Sequence, residues 1–550
     1  MVAAPQLKAI LFLTLVSSLR AYQFISMPAG CGKLSGRISM GANARTRSVP
    51  PSVLSLKSSG EEKEISDLRL SSSHQHQTKT PLFTRKSVLA TLPLAAAAAL
   101  QPAERASASS LLDEGGLAYG RWWVFPLAPY SRKKTVRTEV VKDEVWAFDQ
   151  IIGALYVWTP LRMTVVKLQK GGLLVFNPVP PTEECLKLVR ELEGEHGNVR
   201  FVVLGSTALE HKSAAGPFKR HFPSAELWVV PDQYSFPFGL ENVGLLGYTQ
   251  LFWGLNPQPL PLSSDGDVPW KDDLEHVVLG PFKSRGGEAP GVFEDVAFFH
   301  KKSKTLLVTD VVQTFPSKIP DIILDDPRAL LFHARDDAFG KVQDTPEVRQ
   351  RGWERIALFS LFFQPGGVEV VPWGQAFKDL QKGQMNELGW NGLFPFTWRP
   401  QDGPHPQGKF YWRESVEALK DKCFVPAVLQ KLILDREPAK VLAFADRVAQ
   451  WNFERIVPCH LGSEIKAGPA EFRAAFGFLE DGGDFPGNLE TRPLCGDAQF
   501  LEDISMSLQD LGTIAAPDKN VAEVRRKRKE RSGVSQGERG PGDGWGPFRN

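Results

Sequence analysis

His211, Asp310 and His460 each stand at or just beyond an apolar run of strand character, at residues 199–204, 305–309 and 453–459. A side chain at a strand end is fixed by the sheet, while the loop beyond leaves it reachable, so the three are candidates for one site. A buried carboxylate must be paired or metal-bound, because an unpaired buried charge is driven to neutralise. His211 and His460 are suitable partners for Asp310. Two imidazoles with one or two carboxylates can hold a zinc or iron ion with a position left open for water. Water activated in that way attacks an ester, thioester, lactone or phosphoester. The same residues also suit a metal-free arrangement in which Asp310 accepts hydrogen bonds from both histidines and stiffens the strand ends. Both readings stay open at this level.

The elements that must position these residues are legible in outline. Alternation over residues 138–148 and 156–168 predicts strands, and Lys170-Gly171-Gly172 predicts a turn into a strand at 173–176. Thr182 is placed to cap a helix carrying Cys185, Leu186, Leu188, Val189 and Leu192. Further strands are expected at 199–204, 227–230 and 274–279, with a short helix near 216–221. A hairpin of 296–299 and 306–308 turns at Lys301-Lys302-Ser303-Lys304. The expected fold class is α/β: two mixed sheets packed together with helices outside. Between Asp310 and His460 lie 149 residues, in which 352–363 and 411–434 predict amphipathic helices. The stretch carrying Trp373, Trp390, Phe394, Phe396 and Trp398 either packs as part of a helical insertion, 315–450, or roofs the site and selects the substrate.

Ser206-Thr207-Ala208-Leu209-Glu210-His211 resembles the His-x-His-x-Asp-His loop of the metallo-β-lactamase fold. Ser206 and Ala208 replace its first two histidines, Glu210 replaces the aspartate, and His211 keeps the last histidine. Leu306-Leu307-Val308-Thr309-Asp310 is similar to the segment ending in the bridging aspartate, and Val457-Pro458-Cys459-His460-Leu461-Gly462 to the segment with the distal histidine. Segments 162–168, 171–180, 294–300 and 451–457 further resemble a domain-of-unknown-function family of plants, algae and cyanobacteria, a divergent branch of that fold. The likeness spans about residues 139–478, within an expected domain of 139–479. It implies a metallo-β-lactamase-like αββα sandwich and one metal position held by Glu210, His211, Asp310 and His460. The second position of the superfamily is implied to be lost, because Pro290-Gly291-Val292-Phe293-Glu294-Asp295 stands where its third histidine would be, leaving only Glu294 or Asp295 to offer an oxygen.

The first 60 residues hold seven Lys or Arg and no Asp or Glu, with an apolar run from Ala9 to Val16. This is the composition of a signal-like segment, 1–23, followed by a plastid transit-like segment, 24–84. Arg85-Lys86, an apolar run from Val88 to Leu100 and Ala106-Ser107-Ala108 resemble an export signal, 85–108, which within a plastid points to the thylakoid lumen. A retained Ala-rich helix or an uncleaved membrane anchor is the alternative. No run approaches the ~20 apolar residues of a membrane span.

Residues 109–550 hold 52 Lys or Arg against 58 Asp or Glu, a formal charge of −6, which gives no electrostatic reason to expect nucleic acid. The expected partner is a small-molecule substrate or a plastid protein. The cluster Arg525-Arg526-Lys527-Arg528-Lys529 falls in residues 480–550, expected to be a largely disordered tail. Cysteines at 31, 185, 423, 459 and 495 form no Cys-x-x-Cys pair and support neither a disulfide framework nor a zinc finger. His221, His276, His300 and His333 read as surface or capping residues, and His74 and His76 lie in a polar presequence. Serine hydrolase and nucleotide-binding loops are absent from the sequence. The remaining alternatives are a mononuclear metal-dependent hydrolase with one zinc or iron ion, and a metal-free binding protein of the same fold.

Overall fold

The computed structural model describes residues 134–154, 156–233, 252, 254–282, 293–382, 394–399, 412–510, 512 and 514–533. The three N-terminal targeting segments, His74, His76, Cys31 and Trp390 lie outside the described residues.

The first sheet has the order β1 to β7: β1 (Val136–Val141), β2 (Val145–Ala154), β3 (Val157–Lys167), β4 (Leu173–Phe176), β5 (Val199–Leu204), β6 (Glu226–Val229) and β7 (Gln258–Pro259). The run expected as one strand at 138–148 is a hairpin instead. Asp143 adopts φ 56° at its turn, and β1 folds back antiparallel on β2. Strands β1 to β4 are antiparallel, whereas β4, β5 and β6 run parallel. Parallel neighbours need a crossover, supplied by α1 (Glu183–His196) and α2 (Leu209–Arg220). Thr182 caps α1 as expected, its hydroxyl accepting from the Cys185 amide at 3.0 Å. Helix α2 starts seven residues earlier than the sequence suggested and runs through Gly216 and Pro217, so Glu210 and His211 lie in its first turn.

The second sheet has the order β13-β10-β9-β8: β8 (Leu274–Phe282), β9 (Phe293–His300), β10 (Thr305–Leu307) and β13 (Arg455–Val457). Every residue of β9 is buried, as a central strand covered on both faces requires. The two sheets face each other across Phe176, Phe201, Val203, Trp270, Val296, Phe298, Leu307 and Val457. Cys185, Val189 and Leu192 of α1 and Phe218 of α2 cover the outside of the first sheet. Phe444, Ala445 and Val448 of a helix at Pro438–Val448 cover the outside of the second. The expected αββα layering is therefore present. That last helix is a layer of the sandwich, so the insertion ends before it and not at 450.

The insertion proper carries α3 (Asp321–Leu324), α4 (Arg328–His333), α5 (Pro346–Phe362), α6 (Trp373–Lys382), α7 (Trp412–Leu419), α8 (Ala427–Leu432) and a two-stranded sheet of β11 (Val368–Val370) and β12 (Phe396–Trp398). The expected helix at 411–434 is broken between α7 and α8 by the segment around Pro426, which cannot continue a helix. Phe394, Phe396 and Trp398 are buried in a core with Trp353, Phe359 and Trp412. The aromatic residues described there pack the insertion.

Residues 480–550, expected to be largely disordered, contain helices. Beyond α9 (Pro438–Val448) and α10 (Pro469–Ala474) come α11 (Leu494–Asp497), α12 (Gln499–Asp510) and α13 (Lys519–Arg531). Leu501, Ser505 and Leu508 form a buried helical stripe, and Val521 and Val524 another. Members of the basic cluster are tied to distant segments: Arg525 pairs with buried Asp435 at 2.6 Å, Arg528 donates to the Gly477 and Phe478 carbonyls at 2.6 and 3.1 Å, and Lys529 pairs with Glu502 at 2.9 Å. Residues 534–550 lie outside the described residues. Among the described residues no helix is long and apolar enough to cross a membrane.

Candidate metal centre

Strands β10 and β13 pair in parallel with Leu307 opposite Val457. Asp310 and His460 lie three residues past these partners, so equal advance along two adjacent strands brings them side by side. The Cys459 amide donating to the Thr309 carbonyl at 3.1 Å holds that register one step before the site. From the other sheet, β5 delivers the chain to α2, whose first turn supplies Glu210 and His211.

The four residues predicted from the sequence come together: one donor atom from each of Glu210, His211, Asp310 and His460 lies within 4.8 Å of all the others. His460 Nε2 stands 3.3 Å from Asp310 Oδ1 and 3.9 Å from Glu210 Oε1, and the two imidazole centroids are 5.2 Å apart. Donors about 2.0–2.2 Å from a tetrahedral ion stand roughly 3.2–3.6 Å from one another, so the observed cluster suits a small cation with a modest contraction. His211 is wholly buried, and neither of its ring nitrogens has a hydrogen-bond partner among the described residues. An imidazole buried in that way is costly unless something else completes it. The added methylene of Glu210 does not take its oxygens out of reach.

Burial, with a further contribution from His460, holds the His211 imidazole well below its usual titration range. Burial also lowers His460 to about 4, opposed by the Pro160 carbonyl and reinforced by the Arg162 charge. Both rings are therefore neutral near pH 7, the form that ligates metal. The Pro160 carbonyl lies 3.0 Å from His460 Nδ1 and can only accept, so Nδ1 carries the proton and Nε2 faces the carboxylates.

Three positioning residues escaped the sequence reading. Arg162 is fully buried on β3. Its Nε pairs with Asp149 Oδ1 at 2.8 Å, and its Nη1 donates to the Pro458 and Gly462 carbonyls, each at 2.7 Å, cradling the turn that carries His460. Asn177, in the left-handed region at φ 49°, ties all three ligand-bearing segments at their roots. Its Nδ2 donates to Thr309 Oγ1 at 2.8 Å and to Cys459 Sγ at 3.3 Å, while its Oδ1 accepts from the Gly205 amide at 2.7 Å. Gly205 must be glycine, since a Cβ there would collide with the Phe176 ring and Val296.

Asp295 is the third. It was expected to have an oxygen available for the lost second position, but its carboxylate faces the backbone of the Asp310 turn. Oδ2 accepts from the amides of Asp310 and Val311 at 2.8 and 2.9 Å, and Oδ1 from those of Val296 and Thr309 at 2.7 and 3.3 Å. Burial nonetheless raises its pKa to about 6. Glu294 Oε2 accepts from the Asp232 amide at 2.8 Å. Neither residue belongs to the donor cluster, and Ser206 and Ala208 are buried without offering an imidazole.

The remaining histidines divide. His221 is the exposed C-cap of α2, as expected, but His276, His300 and His333 are buried. His276 donates from Nε2 to the Pro261 carbonyl at 3.0 Å, His300 Nδ1 lies 2.7 Å from Ser303 Oγ, and His333 stacks on Phe396. A period-two or helical position on a packed face, not surface capping, decides their burial. Cys185, Cys423 and Cys459 are buried thiols.

Among solved structures, the chain is similar to the DIM-1 metallo-β-lactamase, with 13% identity over 33% of this chain and 72% of that one at a TM-score of 0.23. It is similar to the Flv1 flavodiiron core from Synechocystis sp. PCC6803, with 10% identity over 70% of this chain and 72% of that one at 0.32. A flavoprotein from Thermotoga maritima matches at 10% identity over 63% and 61% at 0.31. At such scores the fold rests on the sheet order and layering described above. No curated protein matches the sequence. Residues 142–478 match the family described as a domain of unknown function (DUF4336), and the chain belongs to that family.

Proposed function

We propose that this protein is a mononuclear metal-dependent hydrolase of a small ester, thioester, lactone or phosphoester, with Glu210, His211, Asp310 and His460 holding one zinc or iron ion. The observation that carries the reading is the convergence of four donor atoms within 4.8 Å from the first turn of α2 and the ends of β10 and β13. The unpartnered nitrogens of buried His211 support it independently. A bound ion supplies Lewis-acid activation of water and of the substrate's carbonyl or phosphoryl oxygen. The chain's own residues do the rest. The Pro160 carbonyl fixes the His460 tautomer, Asp295 and Arg162 set the turns that carry Asp310 and His460, and burial keeps both imidazoles unprotonated.

Elemental analysis of protein purified without chelator tests this. About one equivalent of metal is expected, falling to a small fraction in Asp310→Ala and His460→Ala, with hydrolysis of an ester panel lost in parallel. Metal-free wild-type protein would overturn it and leave the alternative, a ligand- or partner-binding protein of the same fold. The basic, acid-free first 60 residues support a plastid address for this activity. A fluorescent fusion of residues 1–120 that stays in the cytosol would contradict that address.

A further inference from the structure

Arg335 follows α4 in the insertion and is only 1% exposed. Its Nε donates at 3.4 Å to the Phe332 carbonyl, but neither Nη1 nor Nη2 has a hydrogen-bond partner among the described residues, and it forms no ion pair there. The guanidinium carbon lies 4.8 Å from the Phe332 ring centroid and 4.5 Å from that of Phe394, so two aromatic rings flank it. Burial lowers its pKa to about 10, which leaves it charged at neutral pH, and the charge of Asp337 opposes that lowering. Asp337 Oδ1 is itself engaged by the amides of Phe339 and Gly340, each at 2.8 Å.

The neighbouring Arg355 shows that this core can pair a buried guanidinium. At 2% exposure, Arg355 donates to the carbonyls of His333, Ala334 and Arg335 at 3.3, 3.2 and 2.8 Å and pairs with Asp336 at 2.6 Å. The Trp398 amide donates to the Asp336 carbonyl at 2.7 Å. The backbone that presents Arg335 is thus pinned from two sides while Nη1 and Nη2 of its own fork have no partner among the described residues. Rings supply part of the stabilisation of a cation, but they do not replace the in-plane acceptors that five N–H groups demand.

We propose that Arg335 is the recognition group of an anion site in the insertion, taking a carboxylate or a phosphate group whose two oxygens accept from Nη1 and Nη2 between the Phe332 and Phe394 rings. Paired planar oxygens are the complement of a guanidinium fork, and the low-dielectric, ring-lined setting strengthens the pair. Entry of the anion requires one flanking ring to turn aside, since the guanidinium is covered. The site involves none of the four metal donors, so it stands or falls separately from the hydrolase reading.

The test is thermal unfolding of the full chain titrated with inorganic phosphate or with succinate, against chloride at matched ionic strength. A saturable rise in Tm with one or both anions is expected for wild type, and the anion that gives it identifies the source. Arg335→Met is expected to raise the basal Tm, because an unpaired buried charge is removed, and to abolish the anion response. A purely structural cation–π role predicts the opposite, a lower basal Tm in Arg335→Met. A flat wild-type response, or an equal response in Arg335→Met, overturns the site. If Arg335→Met does not fold, Arg335→Lys serves, with anion affinity expected to fall at least about tenfold because the fork is gone; unchanged affinity there also overturns it.

Discussion

Replacing Arg162 with Met removes one side of a buried ion pair and the donor to three carbonyls in the His460 turn, those of Pro458, Leu461 and Gly462. Stripping a buried pair of one partner costs about 3–5 kcal/mol, and each orphaned polar group costs about 1–3 kcal/mol when it cannot find water. These do not add in full. The Asp149 carboxyl is already pushed upward by burial, against the opposing pull of Arg162, so without the arginine it protonates and caps its own penalty. A loss of about 4 kcal/mol is the reasoned outcome, read as a shift in urea midpoint at unchanged slope. The double variant Arg162→Met with Asp149→Leu removes the stranded carboxyl as well and should recover about half of that loss. Metal affinity, measured by competition with a chromogenic chelator, should stay lowered about 10–100-fold in both, because the His460 turn has lost its cradle either way. A loss of stability below about 1 kcal/mol, or metal affinity restored in the double variant, would refute the positioning role.

Asp295→Asn should lower metal affinity by about 10–100-fold with a stability loss of only about 1–3 kcal/mol, since an amide brings two N–H groups against backbone donors; chelator competition showing wild-type affinity would contradict this. Asp497 receives Ser415 Oγ at 2.5 Å and the Gly366 amide at 2.7 Å, yet burial raises its pKa from 3.8 to about 6. Its native state therefore holds a proton over that interval while the unfolded chain does not, and stability falls as pH rises through it. Asp497→Asn should flatten this slope and raise stability at neutral pH by about 1–3 kcal/mol, checked by urea midpoints at about pH 4.5 and pH 7.5. A wild-type slope of the opposite sign would refute the assignment.

The donors were legible because their type and place coincide: His211, Asp310 and His460 close apolar runs, and a carboxylate there demands a partner. Their supports were not: Arg162 and Asp295 bond largely to backbone, whose carbonyls and amides leave no signature in residue type, and the side chains that Asn177 bonds lie 132 and 282 residues away in the chain. One signal was available: Arg162 interrupts an otherwise apolar run, with Asp149 a single strand away and directly opposite in register. The tail was misread because its charge density outweighed the spacing of Val521 and Val524, and the partner of Arg525, Asp435, lies 90 residues earlier. Two breaker residues, Gly216 and Pro217, hid the true start of α2. That start is what places Glu210 and His211 on a rigid turn rather than a loop.

The pairing of β10 with β13 has a topological effect. The long excursion that separates Asp310 from His460 in the chain leaves and returns through adjacent hydrogen-bonded strands, so its contour length never enters the spacing of the two donors. Lengthening, shortening or exchanging the interior of that excursion is expected to leave the spacing of the two donors untouched as long as both anchoring strands survive. The donor cluster and the surface grown above it can therefore diverge independently, one held by the ladder and the other free to change.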